Sequence, residues 1–94
     1  MNNREKLAVM DKIIRELDDL VNSQTSVLKK IGQIEAENIN LGDKFLDDKL
    51  PDVFEEVDAA LTQATAIQTE YTERRDAFVK EYKLDEPLEE PEEA

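Results

Sequence analysis

The chain has 94 residues, with 24 Asp and Glu against 12 Lys and Arg, a formal net charge of −12, and no His, Cys or Trp. That composition excludes a disulfide framework, a Cys/His zinc site, His-ligated haem and any nucleophile–imidazole pair. With 38% charged residues, 5% aromatics, two Gly and three Pro, it points to long polar-faced helices, and at this length a lone core is thin enough that help from a partner chain is expected.

The first element is announced by Asn2 and Glu5, which have the spacing of a capping box. Leu7, Met10, Ile14, Leu17, Val21, Leu28 and Ile31 then recur at three- and four-residue steps, with Gln24 in the one gap, and form the stripe of an amphipathic helix. Beyond Ile31 the stripe resumes at Ile34, Asn38, Leu41 and Phe45, which predicts a stammer and a local twist beside Gly32. Gly42 can take the left-handed cap conformation and end this helix near Leu41. The prediction is therefore helix 1 over about 3–41 and a turn over 42–50.

Leu50-Pro51 reads as the start of helix 2, over about 51–83, because proline lacks only an N–H that the first turn leaves unpaired, and Asp52, Glu55 and Glu56 suit the positive end of the dipole. Its stripe is Leu50, Val53, Val57, Ala60, Ala64, Ile67, Tyr71, Phe78 and Tyr82, with Phe54 and Leu61 widening it and Arg74 as the polar member. A competing reading runs helix 1 through Gly42 to Lys49, at a cost of about 1 kcal/mol for a helical glycine, but it leaves unequal arms. Residues 85–94 carry six acids, two prolines and no base, the composition of a disordered acidic tail, and the hairpin domain is 1–84.

The fold class is all-α: an antiparallel, coiled-coil-like two-helix hairpin, completed as a four-helix bundle by dimerisation or by a partner. Two stretches carry no charge, Leu20 to Leu28 and Ala59 to Thr69. A turn near Phe45-Leu46 makes facing residue numbers sum to about 91, sets Gln24 opposite Ile67, and lays the two stretches side by side as an uncharged waist. Small polar side chains lose their water more cheaply than Lys or Glu. The waist is therefore the expected partner-binding surface, with Val21, Gln24, Thr25, Leu28, Leu61, Thr62, Thr65, Ala66, Gln68 and Thr69 as its residues.

Other chemistry is weak. Glu35 and Glu37, or Asp43, Asp47 and Asp48, form no calcium-loop pattern, and no His completes a bundle-type metal site, so the carboxylates read as a solvated face and no metal or cofactor is expected. A hairpin offers no cleft for paired carboxylates, so no enzyme and no small-molecule substrate are expected. Tyr71, Phe78 and Tyr82 read as packing. Lys29-Lys30 is too short for a nucleic-acid patch in so acidic a chain. No apolar run reaches the length of a signal-peptide core or a membrane span, which makes the expectation a cytoplasmic protein without membrane contact.

In its length, its two long helices, its Asn40-Leu41-Gly42 turn and its Tyr82-to-Glu86 spacing, the chain resembles the ESAT-type, Trp-x-Gly hairpin proteins of type VII secretion. Asn40 stands where that family has Trp. The resemblance implies a role for Tyr82 and Glu86 in export and pairing with a second hairpin. Three functional readings follow: a non-enzymatic helical adaptor, assembly factor or small chaperone; a secretion-associated hairpin; and an acidic mimic of nucleic acid that blocks a basic protein. Residues 50–94 hold 14 acids and 4 bases, net −10, and six of those acids lie in 85–94, so half of the net charge belongs to the tail and residues 1–84 are moderately acidic. That distribution favours the first reading.

Overall fold

The computed structural model describes residues 1–85, and the stretch read as an acidic tail lies outside them except for Asp85. Two helices pack against each other: α1 spans Asn3–Leu41 and α2 spans Lys44–Glu81. At 1.5 Å per residue each is about 57–58 Å long, and the rod they form is 18 × 17 Å across.

The start of α1 follows from its first residues. The Asn2 side chain accepts from the Glu5 N–H at 2.8 Å, and the Glu5 carboxylate accepts from the Asn2 N–H at 2.9 Å, so two otherwise unpaired donors satisfy each other's residues. Its end follows from Gly42, at φ 71° and ψ 31°, whose N–H donates to the Asn38 carbonyl at 2.6 Å. Only a residue without Cβ takes that left-handed conformation cheaply.

The turn is far shorter than the 42–50 predicted. Asp43 caps α2 at once, its carboxylate accepting from the Leu46 N–H at 3.2 Å. Asn38, only 4% exposed, clamps both ends of the turn: its side-chain oxygen accepts from the Asp43 N–H at 2.8 Å, and its amide donates to the Asp43 carbonyl at 3.1 Å and the Asp47 carboxylate at 2.8 Å. Pro51 therefore sits inside α2, not at its start. It removes one i to i−4 hydrogen bond, a cost the cap, the clamp and the packing of Leu46 and Leu50 outweigh.

At its far end α2 closes in a Schellman arrangement. Leu84 N–H donates to the Val79 carbonyl at 2.9 Å and Lys83 N–H to the Lys80 carbonyl at 3.3 Å, with Lys83 at φ 56°.

The half-buried and buried residues define the seam. Along its line lie Leu7, Met10, Ile14, Leu17, Val21, Gln24, Leu28, Ile31, Glu35 and Asn38 of α1 and Leu50, Phe54, Val57, Leu61, Ala64, Gln68, Tyr71, Arg75 and Phe78 of α2, with Asp11, Thr25, Gly32, Leu46, Thr72 and Val79 half-buried or buried beside it. Both sets step by three and four without interruption. In heptad letters, Leu7 and Phe54 open the a columns and Met10 and Leu50 the d columns.

Three expectations change. The seam passes from Ile31 to Glu35 and Asn38, so there is no stammer at Gly32, and Ile34, Leu41 and Phe45 are exposed. On α2, Val53, Ala60, Ile67 and Tyr82 are exposed and Phe54 and Leu61 take seam positions. The polar seam members of α2 are Gln68 and Arg75, whereas Arg74 is exposed.

The register moves with the turn. Arg75 pairs with Asp11 and Gln68 with Asp18, and both pairs have residue numbers summing to 86. Gln24 accordingly lies level with Leu61 and Thr62, not with Ile67. The uncharged stretches remain alongside each other, over 20–27 and 59–66. Burial is shallow throughout: among the described residues the buried apolar side chains are Ile31, Ala64 and Val79.

Candidate docking face

The two flanks of the seam differ in chemistry. On one flank lie the e columns, where Asp11, Thr25 and Gly32 of α1 and Thr72 and Val79 of α2 are half-buried or buried and Asp18, Pro51, Asp58 and Thr65 are exposed. Arg75 donates to Asp11 at 2.8 Å and Gln68 donates to Asp18, which straps the helices together across this side. The hydrogen bond to Asp11 raises the Arg75 guanidinium above its ordinary pKa, against the opposing effect of burial. Thr25 and Thr72 turn their hydroxyls back to the carbonyls of Val21 and Gln68, both at 2.8 Å.

The opposite flank carries the g columns. On α1 these are Ile13, Leu20, Val27, Ile34 and Leu41, a strict seven-residue repeat; on α2 they are Leu46, Val53, Ala60, Ile67 and Arg74. Helices running in opposite directions bring g beside g and e beside e, and each of the five g pairs, from Ile13 with Arg74 to Leu41 with Leu46, lies at one level of the rod. Ile13, Leu20, Val27, Ile34, Val53 and Ile67 are between 38% and 53% exposed. Their outer halves meet water, and no strap covers them.

A g residue points about 90° away from the seam, so these columns present one apolar strip along the hairpin. Charges resume at the neighbouring c columns: Glu16, Lys30 and Glu37 on α1, and Lys49, Glu56 and Glu70 on α2, with Ser23 and Gln63 neutral in the middle. Helices that close only a two-stranded seam need a and d apolar; a third apolar column at e or g is the pattern of helices in a larger bundle. Both helices have it.

The ten waist residues do not share a surface. Val21, Gln24, Leu28, Leu61 and Gln68 are half-buried in the seam, and Thr25 lies on the strapped flank. Thr62, Thr65, Ala66 and Thr69 are exposed, but they lie on the e, f and b columns of α2, away from the apolar strip. Thr62 donates to its own helix at the Asp58 carbonyl, 3.0 Å away. The ten omit Ile13, Leu20, Val27 and Ile34 on α1, although Leu20 and Val27 fall within the uncharged stretch. Their exact seven-residue spacing is the signal that identifies them.

A groove of about 430 Å³ lies by the turn, lined by Gly32, Glu35, Asn38, Ile39, Leu50 and Pro51 among others. Among the described residues no three carboxylates gather in a geometry to hold a metal ion, and no helix is long and apolar enough to cross a membrane. Tyr82 ends α2 with its ring 4.9 Å from that of Phe78, while Glu86 lies outside the described residues. No protein family, curated protein or solved structure matches the chain.

Proposed function

We propose that this protein is a non-enzymatic protein–protein interaction module, a helical adaptor or assembly factor that docks other helices against the apolar flank of its hairpin. The observation that supports the reading is the third apolar column on both helices, level by level, on one side of the rod. Fully burying one Leu or Ile contributes about 1.5–3 kcal/mol. Leaving six such side chains half in water, in a hairpin with three buried apolar residues, forgoes much of the stability available to it. Helix packing on that flank recovers it, by the helix-in-groove mode.

The test uses the full chain and its Leu20→Glu/Ile67→Glu variant, each immobilised and washed at high salt. The reading expects a defined protein, whether another chain or this one, to stay on the first and leave the second, and to bind again as a purified component at micromolar concentration. Retention of basic proteins only, lost in high salt and equal on both baits, would instead support the acidic-mimic reading. A monomeric chain that retains nothing beyond its variant overturns the proposal.

A further inference from the structure

Resting on the interaction-module reading, we infer that the occupant of the apolar flank is a second copy of this chain, stacked flank to flank with both turns at the same end. Three observations converge on this partner. The strip from Ile13 to Leu41 is about 42 Å long at 1.5 Å per residue and the rod is 18 Å wide. Those dimensions give about 750 Å² per copy, close to the ~800 Å² per partner of a stable interface. The g pairs are level with one another, so a copy turned about the long axis sets Leu20 over Ile67 of the second chain, Val27 over Ala60 and Ile34 over Val53. Val27 and Ile34 meet smaller residues, Leu20 meets one of equal size, and no charge enters the middle of the strip.

The rim selects the orientation. With turns together, each c column of α1 lies along the c column of α2 in the second copy. Lys30 then meets Glu56 and Glu37 meets Lys49, while Ser23 meets Gln63 and Val9 meets Ala77. The one like-charge encounter, Glu16 with Glu70, has Arg74 beside it, four residues after Glu70 on the same helix. Turning the second copy end over end with the strips in full overlap sets α1 against α1 and α2 against α2, which brings Glu16 toward Glu37, leaves Lys30 facing Ser23 and Glu56 facing Gln63, and keeps one attractive pair, Lys49 with Glu70. Rim pairs add little affinity in water, but two attractive pairs against one, at equal repulsion, favour the turns-together arrangement. The strapped flank offers no comparable self-match, because Asp11, Asp18, Arg75 and Gln68 are already engaged within one chain.

Sedimentation of the purified chain tests the occupant, and cysteine trapping tests the orientation, since the chain has no native Cys. The expected mass at micromolar concentration is twice 10.8 kDa. Lys30→Cys and Glu56→Cys, carried on different chains and mixed, should form a mixed disulfide under mild oxidation, whereas Ser23→Cys should not link to itself. Lys30→Glu should weaken the dimer by roughly fivefold per pair, and Lys30→Glu/Glu56→Lys should restore it, a rescue that a merely misfolded variant would not show. A monomer by sedimentation overturns self-pairing, and if the same chain retains a different purified partner the interaction-module reading stands without it. Efficient Ser23→Cys self-linkage with no Lys30–Glu56 linkage overturns the stated orientation.

Discussion

On one flank of the hairpin Asp11 and Asp18 reach across to Arg75 and Gln68; on the other, Ile13, Leu20, Val27 and Ile34 stop half in water beside Val53 and Ile67. The same two helices and the same seam lie between them. The strapped flank satisfies its polar groups within one chain, so it contributes to hairpin geometry and has little left to offer a partner. The bare flank contributes little within one chain, because an apolar side chain stabilises only to the extent that it leaves water. The first flank makes the hairpin, and the second is the one we propose completes its core with another chain.

The contrast is broken most severely on the bare flank. Leu20→Glu/Ile67→Glu places two carboxylates in the strip and should abolish association, an effect of about 4 kcal/mol or more, while helicity by circular dichroism stays substantial. The next effect is on the strapped side, where Pro51 interrupts α2. Pro51→Ala restores one backbone hydrogen bond and should stabilise by up to about 3 kcal/mol in thermal unfolding, without a change in association.

Asn38→Ala removes the turn clamp and leaves the part-buried Asp43 N–H without its side-chain partner. A loss of about 2 kcal/mol is expected in denaturant unfolding, since the turn sets the level of every g pair. The smallest effect belongs to the strap itself. Asp11→Asn keeps a hydrogen-bond acceptor for the third-exposed Arg75 and should cost under about 1 kcal/mol in the same measurement, with association untouched. A large loss of association from Asp11→Asn, or none from the double Glu variant, would reverse the roles assigned to the flanks.

Much of the fold could be read directly. The capping box at Asn2 and Glu5, the seam from Leu7 to Ile31 and the left-handed Gly42 all follow from local chemistry, where a residue's preference and its neighbours three and four positions away suffice. The start of α2 was harder, because Pro51 and Asp43 both carry start signals. Asp43 prevails through a contact from Asn38 that no local pattern reports. The helix 2 stripe of Leu50, Val53, Val57, Ala60, Ala64 and Ile67 is two columns taken as one: Leu50, Val57 and Ala64 face the seam, and Val53, Ala60 and Ile67 face the open flank. The apparent stammer at Ile34 has the same origin.

Composition and spacing alone establish an all-helical chain with three apolar columns on each helix, because periodicity is a property of one helix and its solvent. Which two of the three columns close the hairpin is not a local property. It depends on where the turn falls, since a turn at Gly42-Asp43 instead of near Phe45-Leu46 shifts the register by about five residues and changes which residues are level. That choice puts Arg75 rather than Arg74 in the seam, spends Asp11 and Asp18 on the strap, and leaves the remaining column uncovered. The open flank is therefore visible only in the packed hairpin: an apolar column is left to a partner only once its neighbours have been used.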